Sequence, residues 1–365
     1  MLTLIFYTLF IIIFVIGWFS IKDYKVSDNQ QNITLSAVIC CKNEQENLPF
    51  LLGSIEYQTS DIEQIIFAND NSTDETLKIL QNFSRVFTNV KVFSTNGFGK
   101  KNALKEAVQF VENEYVITFD ADCIIPQNYF FIVKNFLTKY RPDLLIGGVV
   151  VEERRTKDRE QKIKKTLFFY LQALEFASLI ASGAGAALAK IPIMCNGANL
   201  AFRKEIWQNA ENHLVANEIS GDDVFLLHYV KKINGKILFF KAKNGFVKTF
   251  AVKKFGEFLK QRQRWASKSK SYYDKHTISV AILVLMINFL LIFSSISSIF
   301  SHFFLNFFLI LFLSKMLLDS ILLVPFLIFT KQKRLVKFIP ILSILYPFYI
   351  LFTAFYSFFG KKQWK

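Results

Sequence analysis

The chain has 365 residues, 52% of them hydrophobic, and a formal net charge of +15 at pH 7. That length exceeds one small domain, and so large an apolar share excludes an ordinary soluble enzyme, so part of the chain sits in lipid. The positive charges crowd beside apolar runs and no nucleic-acid fold signature accompanies them, which favours an anionic lipid surface over nucleic acid as their partner.

The first stretch, Leu2 to Phe19, is almost wholly apolar and long enough to span about 30 Å of hydrocarbon as a helix. Its positive charges, Lys22 and Lys25, follow the run instead of preceding it, which favours a retained anchor over a cleaved signal peptide. From Thr34 onward, short β-rich runs (Leu35 to Cys41, Ile62 to Ala68, Val90 to Ser94, Tyr115 to Phe119) alternate with amphipathic segments near Leu48, Thr76 and Ala103. That alternation predicts βαβ units and a mainly parallel α/β sheet. Ligands of such sheets bind beyond the carboxyl ends of the strands. Polar residues gather there: Lys42, Asn43 and Glu44 after the first strand, Asn69 and Asp70 after the second, Gly97 to Lys101 after the third, Asp120 and Asp122 after the fourth.

Within Asn69 to Thr76, Ser72 and Glu75 have capping-box spacing, which leaves Asp70 either to accept from a nucleobase or ribose or to hold backbone amides. The turn Gly97 to Leu104 suits an anion at a helix start, although such glycine and lysine turns are common on surfaces. Asp120 and Asp122 lie two apart, so an extended backbone aims both carboxylates the same way, toward one hard cation such as Mg²⁺ or Mn²⁺ bridging a diphosphate. The alternative is a solvated pair at the turn before Pro126. Asp222 and Asp223 open an apolar helix, either as a general base for an attacking hydroxyl or as a cap that complements the helix dipole. In Gln261 to Trp265, helical spacing puts Gln261, Arg264 and Trp265 on one face; that face can serve a diphosphate and a sugar, or belong to a basic interfacial anchor. Cys40, Cys41, Cys123 and Cys195 lack metal spacing and are expected to be reduced packing residues. His213, His228, His276 and His302 form no ligand cluster.

Beyond Thr277 the chain is apolar again near Ile278 to Phe300, Phe303 to Phe329 and Phe338 to Phe359, which predicts three further spans. Lys315 and Asp319, four apart inside the second of these runs, are expected to pair. Lys22, Lys25, the stretch Lys253 to Lys275 and Lys331 to Lys337 place the middle domain in the cytoplasm by the positive-inside rule. The tail Lys361, Lys362 and Lys365 disagrees, unless the last apolar segment is re-entrant or interfacial. The Gly- and Ala-rich Ser182 to Ala189 reads as a flexible loop or a closely packed helix.

In this order and spacing, the segments from about Thr34 to Trp265 resemble glycosyltransferase family 2 with the GT-A fold. They are similar to its membrane-bound branch, which includes ceramide glucosyltransferases and the hyaluronan and cellulose synthases. The resemblance implies that Asp70 contacts the nucleoside, that Asp120 and Asp122 hold a Mg²⁺ or Mn²⁺ ion and the donor diphosphate, and that Asp223 is the catalytic base, with Asp222 its alternative. Gln261, Arg264 and Trp265 match the Gln-x-x-Arg-Trp motif near acceptor and leaving group. Glu44 and Lys100 join them as donor-binding candidates, and Cys195 to Phe202 resembles the acceptor-side segment. Asn69, Cys123 and Asp222 depart from the commoner pattern, which has acids at the first two positions and Glu at the third. The expected layout is an anchor at 1–21, a GT-A domain at 34–250, a basic interfacial helix at 251–276 and a transmembrane region at 277–360. The expected activity is inverting transfer from a nucleotide-sugar, by resemblance a UDP-sugar, to a lipid or lipid-linked acceptor at the cytoplasmic membrane face. Processive polysaccharide synthesis is the alternative, and a non-catalytic nucleotide-binding scaffold the second alternative.

Overall fold

The computed structural model describes residues 2–26, 32–153, 166–211 and 221–359. The basic tail at Lys361, Lys362 and Lys365, His213, and the Ile219-Ser220 lead into the second acidic pair lie outside the described residues. The described residues form two compact units: a sheet unit within 22–149 and 194–250, and a helical unit within 2–21, 150–193 and 251–359.

The sheet unit starts with four parallel strands, β1 (Leu35–Cys41), β2 (Gln64–Asn69), β3 (Val90–Ser94) and β4 (Tyr115–Asp120). They are linked by helices α2 (Leu48–Ile55), α3 (Thr76–Ser84) and α4 (Lys100–Gln109). After α5 (Tyr129–Tyr140) come β5 (Leu144–Glu152), β6 (Leu200–Arg203), α7 (Lys204–Ala210), α8 (Asp222–Lys232), β7 (Ile237–Phe240) and β8 (Phe246–Phe250). The sheet order is β3-β2-β1-β4-β6-β5-β7, with β8 also on β5. Only β6 runs antiparallel to its neighbours β4 and β5 along that order. The predicted strands are all present, β1 and β3 with the predicted ends. A strand flanked on both sides must be apolar on both faces, and Leu35, Ala37, Val38 and Ile39 of β1 are buried accordingly. Phe119 of β4 packs edge-on against Tyr129 and Phe130 of α5, and Phe67 of β2 against Phe83 of α3.

The helical unit gathers α1 (Leu2–Ser20), α6 (Leu167–Leu188), α9 (Phe255–Ser267), α10 (Lys275–Ser297), α11 (His302–Phe329) and α12 (Ile339–Phe359). Among the described residues, five helices are long and apolar enough to cross a membrane, one more than the sequence predicts. The addition is α6, whose Gln172 and Glu175 dilute its apolar signal and whose Gly- and Ala-rich end packs against α1. A Cβ on Gly185 would stand 2.7 Å from the Phe14 carbonyl oxygen, so small residues let the two backbones approach as they do between membrane helices. That settles Ser182 to Leu188 as closely packed helix. Large apolar side chains such as Ile16, Phe293, Leu317 and Phe355 point outward, as lipid-facing residues do. Inside, Lys315 and Asp319 pair at 2.6 Å and the Tyr7 hydroxyl donates to Asp319, so neither charge is left alone in an apolar setting.

Candidate active site

Where β1 and β2 end, Asn43 and Asn71 adopt positive φ (52° and 50°), a conformation their short amide side chains tolerate. The two loops are laced together. Ser72 Oγ accepts from the Asn43 N–H at 3.0 Å, Asn43 Oδ1 from the Thr73 N–H at 2.8 Å, and Asp74 Oδ2 from the Gln45 N–H at 3.2 Å. The capping box expected of Ser72 and Glu75 is therefore not formed. Helix α3 begins only at Thr76 and Glu75 makes no side-chain cap, because Ser72 is drawn to the neighbouring loop and Glu75 pairs with Lys78 at 2.8 Å. Partially buried Asp74, which accepts from Thr76 and Gln45, is held below the usual carboxylate range: burial opposes its charge, and the hydrogen bonds outweigh that. Glu44 stands at this junction, its N–H on Thr76 Oγ1 at 2.8 Å and its carbonyl receiving the Asn47 and Leu48 amides at 2.9 Å.

Asp70 is 2% exposed and accepts the Gly99 N–H with both carboxylate oxygens at 3.0 Å; Lys42 lies 3.5 Å away. Gly99 has φ of +93°, which only glycine takes readily, and this turn delivers Lys100 at the start of α4. The Lys100 ammonium pairs with Asp120. Burial alone would lower the Lys100 pKa, yet Asp120 first, then Cys40 and Asp223, hold it above its ordinary value. The Cys40 thiol is pushed up to about 12 by burial, with Lys100 opposing and Asp120, Asp222 and Asp70 adding to the rise. These mutual influences bring Asp70, Lys100, Asp120, Asp222 and Asp223 into one electrostatic neighbourhood at the carboxyl ends of β1, β2 and β4.

After Asp120 the chain turns, with the Cys123 N–H on the Asp120 carbonyl at 3.1 Å, and Ile124 pairs with Lys248 beside β8. Thr249 then donates to Asp122 Oδ2 at 3.1 Å. Gly197, inside the segment Cys195 to Phe202, is fastened on two sides: its N–H donates to Asp223 Oδ2 at 3.1 Å, and its carbonyl accepts from Thr118 Oγ1 at 2.7 Å. Asp223 Oδ1 also takes the Val224 N–H at 2.9 Å. It thus serves the start of α8 while staying half-buried, whereas Asp222 is 7% exposed.

Two carboxylates at a strand end are hard oxygen donors that suit Mg²⁺ or Mn²⁺ completing its shell with diphosphate and water. Asp120 and Asp122 meet that chemistry, and among the described residues no group of three or more His, Cys, Asp or Glu gathers as a metal centre.

Gln261, Arg264 and Trp265 belong to the helical unit and form a constellation of their own on α9. Arg262, which the motif leaves unspecified, is the buried member, paired with Glu175 of α6. Sequence reasoning passed over both. The available signal was Glu175, a lone acid in an apolar run, which marks a partner inside the bundle.

A mainly parallel sheet with acids at its carboxyl ends, joined to apolar helices, defines a membrane protein with a GT-A glycosyltransferase domain. Residues 36–206 match the family model "Glycosyl transferase family 2". The chain is 30% identical over 189 residues to a poly-beta-1,6-N-acetyl-D-glucosamine synthase of Staphylococcus epidermidis, covering 48% of this chain and 43% of that protein. Its counterpart from Staphylococcus aureus is 28% identical over 154 residues, covering 42% and 34%. The chain thus spans less than half the length of these curated relatives. A mannosyltransferase from Pyrobaculum calidifontis, solved with GDP-Man and Mn²⁺, aligns over 94% of both chains with a TM-score of 0.50 at 13% identity, which bears on the fold. By their names, these relatives are synthases of a polymer.

Proposed function

We propose that the protein is an inverting N-acetylhexosaminyltransferase that extends a polysaccharide at the cytoplasmic membrane face, using a UDP-sugar as donor. The observation that carries this reading is the Lys100–Asp120 pair beside the turn held by Asp70, in a domain that matches family 2 and whose curated relatives are polymer synthases. Asp120 and Asp122 would hold Mg²⁺ or Mn²⁺, which would supply charge neutralisation for a departing nucleoside diphosphate. Asp70 and Glu44 order the loops against the nucleoside. Lys100, a cation already beside Asp120, adds charge to the diphosphate. Asp223 removes the proton from the acceptor hydroxyl as it attacks the anomeric carbon from the face opposite the leaving group. It suits the role better than Asp222 because it is the less buried of the two. Gln261, Arg264 and Trp265 take the leaving group and acceptor by the motif they match. The basic residues flanking the spans support a cytoplasmic catalytic domain.

A second reading, one sugar moved to a lipid or lipid-linked acceptor, keeps its place because the match to the polymer synthases covers only 48% of this chain. Asp223→Asn is the test common to both. Turnover is expected to fall about 10²- to 10⁴-fold, the usual worth of a general base, while labelled donor still binds. Turnover left intact with donor bound contradicts the assignment.

A further inference from the structure

The Arg262 and Glu175 side chains are each 4% exposed. The Arg262 Nε donates to the two Glu175 oxygens at 3.2 and 3.1 Å, and a second guanidinium nitrogen also reaches that carboxylate. Tyr349 of α12 donates its hydroxyl to Glu175 Oε1 at 3.1 Å. The guanidinium carbon lies 4.5 Å from the centroid of Phe258 and 4.2 Å from that of Trp265. Its remaining nitrogen donates to Gln261 Oε1 at 2.6 Å. One buried cation therefore touches the first and last residues of the Gln-x-x-Arg-Trp face, and an acid on another helix holds that cation.

A buried ion pair is weak evidence for stability, since apolar side chains of similar volume commonly do as well. What it provides is direction. A planar fork held by a carboxylate fixes where its other nitrogens point, and a ring lying against the guanidinium is fixed with it. With Oε1 occupied by Arg262, the Gln261 amide offers its nitrogen as the group left to meet a ligand, a donor suited to a phosphate or sugar oxygen.

We propose that Glu175 and Arg262 are positioning residues for the reaction. They set the amide orientation of Gln261 and the ring plane of Trp265, so that Gln261 acts on its ligand as a hydrogen-bond donor. This rests on the reading above that Gln261 and Trp265 serve the transfer.

The test uses full-length, detergent-purified protein carrying Glu175→Leu with Arg262→Met, which removes the pair without stranding a charge. Three quantities are read: melting temperature, nucleoside diphosphate release from donor, and the emission of Trp265 taken as the difference from Trp265→Phe. The expected result is a melting temperature close to that of the parent, release slowed about 10- to 100-fold as for a small misplacement of reacting groups, and a changed Trp265 emission. Adding Gln261→Ala is expected to cause no further loss, because the pair acts through Gln261. Full release in the double variant, or losses that multiply when Gln261→Ala is added, would overturn the proposal. Should the double variant not fold, Arg262→Lys keeps the charge on Glu175 but not the fork to Gln261, and wild-type release there overturns it equally. Should the parent protein release nothing from any donor, the proposed function is what fails. Trp265 emission then decides the positioning by itself: a change supports it, and an emission identical to the parent's overturns it.

Discussion

Asp70, 2% exposed at the carboxyl end of β2, holds together the loops that follow the parallel strands. Its place after the second strand marked it for a ligand or for backbone amides. It holds the Gly99 amide with both oxygens, and so shapes the turn that presents Lys100. Asp70→Ala is therefore expected to raise the donor KM several-fold through a loosened turn, measured by initial-rate kinetics of nucleoside diphosphate release. Cys40 gives a prediction of opposite kind. With its thiol pushed up to about 12 chiefly by burial, against an ordinary value of 9.0, little thiolate exists at neutral pH. A raised thiol pKa lowers reactivity until the solution approaches that pH. Iodoacetamide labelling at Cys40, followed by mass spectrometry, is expected to be slow at pH 8 and still rising at pH 10; a plateau by pH 9 contradicts it. The positions of Asp120 and Asp122 at and just after the end of β4, and of Asp223 at the start of α8, were legible because strand ends and helix starts show in a sequence. The Arg262 pairing with Glu175 was not, because the two residues lie 87 positions apart and nothing local joins them.

At the scale of elements, strands were read well because a strand buried on both faces is a short run of β-branched and aromatic residues bounded by polar turns. Ser72 and Glu75 show where local rules fail. Their spacing satisfies a capping box, yet tertiary hydrogen bonds to Asn43 claimed Ser72. Helix α6 escaped the count of spans because membrane helices that pack on other helices carry small and polar residues, which dilute the hydropathy that reveals lipid-facing ones. Its contact with α1 is testable. Gly185→Val places a side chain against Phe14 and is expected to cost about 1–3 kcal/mol as overpacking, read as a lower melting temperature in detergent. Gly53, in the short helix α2, has open space around it, so Gly53→Ala is expected to be neutral or to stabilise by about 0.5–1 kcal/mol. Equal losses at both positions would contradict close α1–α6 packing.

For the molecule as a whole, composition pointed to lipid and the alternation of strands and helices to an α/β domain, and the family 2 match agrees with the resemblance carried by the acidic motifs. Product length was not legible, since neither the acids nor their spacing counts the sugars transferred. The most direct measurement supplies UDP-N-acetylglucosamine, labelled in the sugar, to the purified protein with Mn²⁺, with Mg²⁺ and with chelator, beside a lipid extract. Released UDP and the size of the labelled product are then read together. The account predicts metal-dependent release with label in chains of several sugars, both lost in Asp223→Asn. Label confined to one sugar on lipid would shift the protein to the second reading, and no release from this or any other nucleotide-sugar by folded protein would contradict the account at its centre.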